Sequence, residues 1–262
     1  MLEPGGEHTE VAAAPSDSLR AVYDERARLE YAAPPKHGRL GDRKLVRMIE
    51  LLSTTFPAES LLDAGCGDGR YLAALRGLPT RPERLVGVDI SERILETAAR
   101  TASEAGVEAQ FVRANLERLP FPDASFQRVL SVQVIEHLLD PQLGVGELAR
   151  VLEPGGRLVL STDNAHAWVS GALNLPRTAA VAALRRRGRR RLVEFPHASF
   201  TCVDVERMIS GAGLKVERIE TFRLHLDGAK AASRATQVLA RIDSSLPLGH
   251  LGDLIAAVAR KP

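Results

Sequence analysis

The chain lacks most of what would mark a specialised environment. Among its 262 residues there are two cysteines, Cys66 and Cys202, too few and too far apart for a disulfide framework or a four-ligand zinc site, so a reducing compartment is expected. No apolar run approaches the length of a membrane span, and Met1 to Glu10 is polar and acidic, unlike a secretory leader; the expected location is the cytoplasm, with no membrane span. An excess of one charge is missing too. The 35 basic and 33 acidic side chains leave a net charge of +2, so no whole-molecule field directs the protein to nucleic acid or a membrane surface. Lysine is scarce, five of the 35 basic residues, a skew that resembles a GC-rich genome and carries no function. What remains is a chain 45% hydrophobic, enough to fill the core of one large α/β domain or two small ones.

The first eighteen residues carry Pro4, Gly5, Gly6 and Pro15 among acids and alanines without periodicity, which predicts a disordered tail over 1–18. Helical spacing recurs from Leu19 to Tyr31 and from Asp42 to Leu52, predicting a helical cap over 19–55. Apolar strand patterns then alternate with helical ones: strands at Ser60 to Asp63, Arg84 to Asp89, Ala109 to Arg113, Gln127 to Val132 and Gly156 to Ser161, with helices at Tyr71 to Leu75, Glu92 to Ala105 and Gly144 to Val151. Such alternation means a parallel sheet covered on both faces. Residues 163–199 interrupt it with two short helical patterns and a basic run, and read as an inserted lid. The alternation returns with helix Val203 to Ala212, strand Leu214 to Leu224, helix Ala229 to Ile242 and strand Asp253 to Ala259. Glycines 155 and 156 read as a turn before the fifth strand.

The segment Leu61-Leu62-Asp63-Ala64-Gly65-Cys66-Gly67-Asp68-Gly69-Arg70 is a buried strand running into three alternate glycines and a helix, the pattern of a nucleotide-type loop at the carboxyl end of a first strand. A dinucleotide fingerprint would need glycine or alanine where Arg70 stands. Asp63 and Asp68 would repel a diphosphate and suit a ligand bearing an ammonium and a sulfonium, such as S-adenosylmethionine. Val86-Gly87-Val88-Asp89 then ends the second strand with an acid that can accept both hydroxyls of a ribose.

With Leu-Pro-Phe-Pro-Asp-Ala-Ser-Phe at 119–126, Val-Ile-Glu-His-Leu at 134–138 and Arg-Val-Leu-Glu-Pro-Gly-Gly-Arg-Leu at 150–158, the chain from Leu45 to Lys261 resembles the class I S-adenosylmethionine-dependent methyltransferases of small-molecule type. The resemblance implies a Rossmann-like, doubly wound α/β sheet of seven strands, mostly parallel with the last antiparallel, forming one methyltransferase domain over 19–262. It implies that Asp63, Gly65, Cys66 and Gly67 hold the methionyl part of the cofactor, Asp89 the ribose, and Ile90 the adenine face, with Leu116 and Val132 lining the same site. Relatives carry an acid after the third strand; this chain has Asn115, whose carbonyl can still accept from the adenine amino group.

Methyl transfer from a sulfonium is an in-line displacement in which the protein aligns the nucleophile and, for a hydroxyl, removes its proton. Glu136 and His137 follow the fourth strand, where acceptor-facing groups lie in this family, and His137 is either a base or a packing residue. Asp163, Asn164 and His166 follow the fifth strand and are expected to face the same cleft, which makes His166 a further candidate base or else an ordinary polar loop residue. His197 precedes Thr201, which reads as a helix N-cap, and either lines the acceptor pocket or serves its own loop. Against the Glu-x-x-Glu-His metal motif of small-RNA methyltransferases, Gln133 replaces the first acid, so no metal is expected. Tyr23, Asp24 and Tyr31 share one expected N-terminal helix that would cover the cofactor. The run Arg185 to Arg191 could hold a phosphate backbone, but no aromatics interleave it as a single-strand platform would require, and a solvated loop is favoured. The expected function is methylation of a small organic acceptor, at oxygen, in specialised metabolism. A homodimer is compatible with it, and the alternative is an RNA methyltransferase or RNA-binding protein.

Overall fold

The computed structural model describes Asp24 and residues 39–166, 197–222 and 252–262. The expected disordered tail, most of the cap before residue 39, most of the lid insertion with its arginine run, and the helix expected at Ala229 to Ile242 lie outside the described residues.

Seven strands form one sheet in the order β3-β2-β1-β4-β5-β7-β6. They are β1 (Ser60–Ala64), β2 (Arg84–Asp89), β3 (Gln110–Arg113), β4 (Phe126–Val132), β5 (Leu152–Asp163), β6 (Lys215–Phe222) and β7 (Leu254–Arg260). The first five pair in parallel, while β7 slots antiparallel between β5 and β6. The helices are α1 (Arg39–Ser53), α2 (Arg70–Ala74), α3 (Glu92–Glu104), α4 (Pro141–Val151) and α5 (Cys202–Gly211). Sequence order reverses direction across the sheet between β1 and β4, which opens a crevice at the carboxyl ends of the parallel strands.

Period-two alternation sends each central strand into two cores. Leu62, Val129, Leu158 and Leu160 pack with Val145 and Leu148 of α4 and Val205 and Ile209 of α5. Leu61, Leu130 and Val159 pack with Met48, Leu51 and Leu52 of α1 and Leu72 of α2. Local chemistry fixes where the helices begin: Asp140 accepts from Leu143 N ahead of Pro141, and Thr201 forms a capping box with Asp204, as its position in the sequence predicts.

Most expected boundaries shift by one to three residues, and the largest shift is at the start of β5. β5 starts at Leu152, not Gly156, so Gly155 and Gly156 lie inside the strand instead of forming a turn before it. The register jumps from Phe126↔Leu152 to Arg128↔Arg157, and Gly155 N donates to Lys261 O at 2.9 Å. A Cβ on Gly156 would stand 2.8 Å from Glu153 O and 3.0 Å from Gln127 O; the glycine pair is a bulge through which neighbouring backbone passes.

Candidate active site

The glycine loop leaves β1 and is tied to β2 by its own amides. Gly65 N and Cys66 N donate to Val88 O at 2.7 and 2.8 Å, and Gly67 N donates to Asp89 Oδ2 at 3.1 Å. Gly65 sits at φ 81°, and a Cβ there would lie 2.3 Å from Val134 Cγ2; only glycine lets the turn after β4 close over the loop. Cys66 turns its thiol inward onto Leu95, Ala98 and Phe111. Burial and the nearby Asp63 and Asp89 raise its pKa well above the usual value, so Cys66 serves the site through its backbone. Asp68 accepts Arg70 N and its guanidinium Nε at 3.3 and 2.7 Å, so an acid of the chain already occupies the start of α2. With these donors spent, the loop has little to offer a diphosphate.

Asp89 also accepts Ser91 N at 3.1 Å. Burial raises its pKa, opposed by the amides of Ser91, Gly67 and Ile90. Asp63 is buried, and its Oδ2 has no hydrogen-bond partner among the described residues. Burial first, then the charges of Asp89 and Asp68, push its pKa up to about 8. The nearby Tyr71 hydroxyl is likewise buried without a partner, its pKa raised by burial and by Asp63. Unpaired buried acceptors beside a cluster of acids fit a cationic ligand, the ammonium and sulfonium of S-adenosylmethionine.

Asn115 is tied locally: its Oδ1 accepts Glu117 N at 3.0 Å and its Nδ2 donates to Glu117 Oε2 at 3.2 Å. The oxygen expected to accept from adenine is therefore already engaged once. Leu116, in the turn after β3, and Val132, at the end of β4, are buried, and Ile90 is half-buried beside Asp89. Asp24 accepts from Ser91 Oγ at 2.5 Å, which places Asp24 against the start of α3 and close to Asp89.

A second group of polar side chains lies beyond β4 and β5. The 3₁₀ turn Ile135–His137 follows β4. Its Glu136 is buried and accepts from Thr162 Oγ1 at 2.8 Å, and burial pushes its pKa up to about 7. The segment carrying His197 is pinned between these corners, since Ala198 N donates to Glu136 O at 2.8 Å and Phe200 N to Asp163 O at 3.1 Å. His197 Nε2 lies 3.1 Å from Asp163 Oδ2, and its ring centroid is 5.2 Å from that of His137. Two of the three expected catalytic histidines are thus brought together. His166 is not with them; it is exposed, with its amide on Asn164 Oδ1. Asn164 is buried and donates to Gly252 O at 2.7 Å, a structural task. No cluster of three or more His, Cys, Asp or Glu suited to a metal ion occurs among the described residues.

Sequence reasoning did not single out Lys44 of α1, which lies within electrostatic range of Glu136, Arg70, Asp163 and Asp68, its pKa lowered by burial. Nor did it see that Asp163 pairs with His197. A lysine within the apolar pattern of a helix was the available signal for the first; nothing local signals the second.

The seven-stranded sheet, with its glycine loop after β1, has the fold of the class I S-adenosylmethionine-dependent methyltransferases. Residues 62–160 match the model of a methyltransferase domain family. The chain is 38% identical over 139 residues to 27-O-demethylrifamycin SV methyltransferase of Amycolatopsis mediterranei, covering 52% of this chain and 47% of that protein. It is 34% identical over 126 residues to an O-methyltransferase of Penicillium expansum, covering 47% and 44%. The chain spans less than half the length of these curated relatives. Its fold is like that of magnesium protoporphyrin IX methyltransferase of Synechocystis, with a TM-score of 0.60 at 16% identity, covering 94% of this chain and 99% of that one. Among the described residues no helix is long and apolar enough to cross a membrane.

Proposed function

We propose that the chain methylates a small organic acceptor at a hydroxyl oxygen, in the biosynthesis of a specialised metabolite. The observation that carries this reading is the bond of His197 Nε2 to Asp163 Oδ2, with the His137 ring against it, beyond the strands that hold the cofactor loop. S-adenosylmethionine, when bound, supplies a methyl group activated by its sulfonium. The chain supplies the rest. With Nε2 donating to the carboxylate, His197 has Nδ1 as the nitrogen that takes the hydroxyl proton, and Asp163 fixes the ring and stabilises the charge that forms. His137 packs beside it, and Glu136, its pKa pushed up to about 7 by burial, accepts from Thr162 Oγ1. An alcohol needs such a base far more than an amine or thiol does. The O-directed names of two relatives support the same reading. The two free cysteines suit a cytoplasmic site of action.

The test is incubation with methyl-labelled S-adenosylmethionine and a panel of hydroxylated aromatic, polyketide, quinone and sugar acceptors, read by mass spectrometry. One methyl added at a hydroxyl is the expected product. Label in RNA with none in small molecules would replace this reading with the RNA alternative.

A further inference from the structure

We propose that Glu136 is the positioning residue of the Asp163–His197 pair: it holds both members in line from a buried place behind them and stabilises the imidazolium that forms on His197. This deepens the hydroxyl-methylation reading above and rests on it. Asp163 and His197 come from distant parts of the chain, and His197 is half exposed. One hydrogen bond alone leaves such a side chain too much freedom to keep Nδ1 on a hydroxyl. Something must set the distance between the end of β5 and the segment 197–200.

Glu136 touches the immediate neighbours of both members. Its carboxylate accepts from Thr162 Oγ1 at 2.8 Å, and Thr162 is the residue before Asp163. Its carbonyl accepts from Ala198 N at 2.8 Å, and Ala198 is the residue after His197. The turn that carries Glu136 is itself tied to β5, because Gln133 N donates to Ser161 O at 2.9 Å. Gln133 stands at φ 59° to make that bond, a left-handed conformation uncommon for a residue with a side chain. Phe200 N closes the far side on Asp163 O at 3.1 Å.

A carboxyl is an unfavourable group for bracing a corner. Glu136 and Thr162 are both buried, and apolar side chains of similar size would fill the space without the desolvation of a charge. The charge has a use in the reaction. Within electrostatic range of the carboxylate are Asp163 of β5 and Lys44 of α1, with His137 beside it in its own turn and His197 on the segment it holds. As the hydroxyl proton passes to His197 Nδ1 and the oxygen takes the methyl group, His197 becomes a cation beside two anions, an attraction absent before the proton moves. Burial, and after it Asp163, push the Glu136 carboxyl up to about 7, so this charge is present above neutral pH and withdrawn below it.

The test uses the full chain, S-adenosylmethionine and the acceptor found by the labelling screen. Glu136→Gln keeps the shape and can still accept from Thr162 but has no charge; kcat should fall roughly tenfold, with KM and the calorimetric affinity for S-adenosylmethionine unchanged. Thr162→Val should lower kcat roughly tenfold to a hundredfold, and Thr162→Ser, which keeps the hydroxyl, should recover it. Added to His197→Ala, Glu136→Gln should change nothing further. The acidic limb of the wild-type pH–rate profile should be steeper than one proton gives, and Glu136→Gln should reduce it to a single proton. Wild-type kcat in Glu136→Gln, an equal loss in the His197→Ala background or an unchanged limb would overturn the positioning role and leave hydroxyl methylation standing. Weakened cofactor binding would overturn it too, by assigning Glu136 to the cofactor. Should Glu136→Gln not fold, the two Thr162 variants decide: equal kcat in both would overturn the role. A wild type that methylates no hydroxyl would overturn both readings.

Discussion

The amide of Gly67 lies 3.1 Å from Asp89 Oδ2, so the acid at the tip of β2 holds the glycine loop in place, besides accepting the ribose in the proposed reading. Asp89→Ala therefore has two costs. It should lower S-adenosylmethionine affinity roughly tenfold to a hundredfold, as expected for charge-assisted hydrogen bonds. It should also leave the Gly67 and Ser91 amides without their acceptor, a loss of about 1–3 kcal/mol of stability. Calorimetry and urea unfolding read the two separately; unchanged affinity in a folded variant would refute the ribose assignment.

The histidine pair predicts a specific pattern of rates. With the acceptor identified by the labelling screen, His197→Ala should lower turnover by about 10²–10⁴ with little change in cofactor affinity. Free imidazole should restore part of it. Asp163→Asn should slow the same step, and the double variant should be no worse than His197→Ala, because one residue acts through the other. Full additivity, or turnover lost instead in His137→Ala with imidazole rescue there, would transfer the base to His137.

Asp63 makes the cofactor-free protein sensitive to pH. Its carboxyl titrates near 8 in the folded chain against an ordinary value of 3.8, so the folded state binds a proton that the unfolded state has released. That contribution to stability is complete below pH 4 and is lost progressively as pH rises toward 8. Asp63→Asn, which cannot ionise, should be stabilised relative to wild type by roughly 1–3 kcal/mol at pH 8, with the difference shrinking toward pH 5. It should also bind S-adenosylmethionine more weakly. Urea melts at the two pH values decide; a difference independent of pH would show that Asp63 is ionised throughout.

The sheet is legible in the sequence because its central strands are buried on both faces and bounded by glycine, proline and acids, and Asp63 and Asp89 because each ends such a strand. The start of β5 was hidden by Glu153-Pro154-Gly155-Gly156, which has the composition of a turn and becomes a bulge only because Gln127 O and Lys261 pass beside it. The pairing of Asp163 with His197 depends on a bridge between Asn164 and Phe200 that joins distant parts of the chain. Lys44 reads as an ordinary helical lysine, and the left-handed turn at Gln133 has no glycine to announce it. Local chemistry announced the cofactor loop; the acceptor corner arises from tertiary contacts alone.

The most direct test of the whole account is calorimetric titration of the full chain with S-adenosylmethionine beside nicotinamide adenine dinucleotide. The loop amides are spent on Val88 and Asp89 and the start of α2 is filled by Asp68, so the account predicts one-to-one binding of S-adenosylmethionine and none of the dinucleotide. Binding of the dinucleotide, with S-adenosylmethionine giving no heat and no thermal stabilisation, would contradict it.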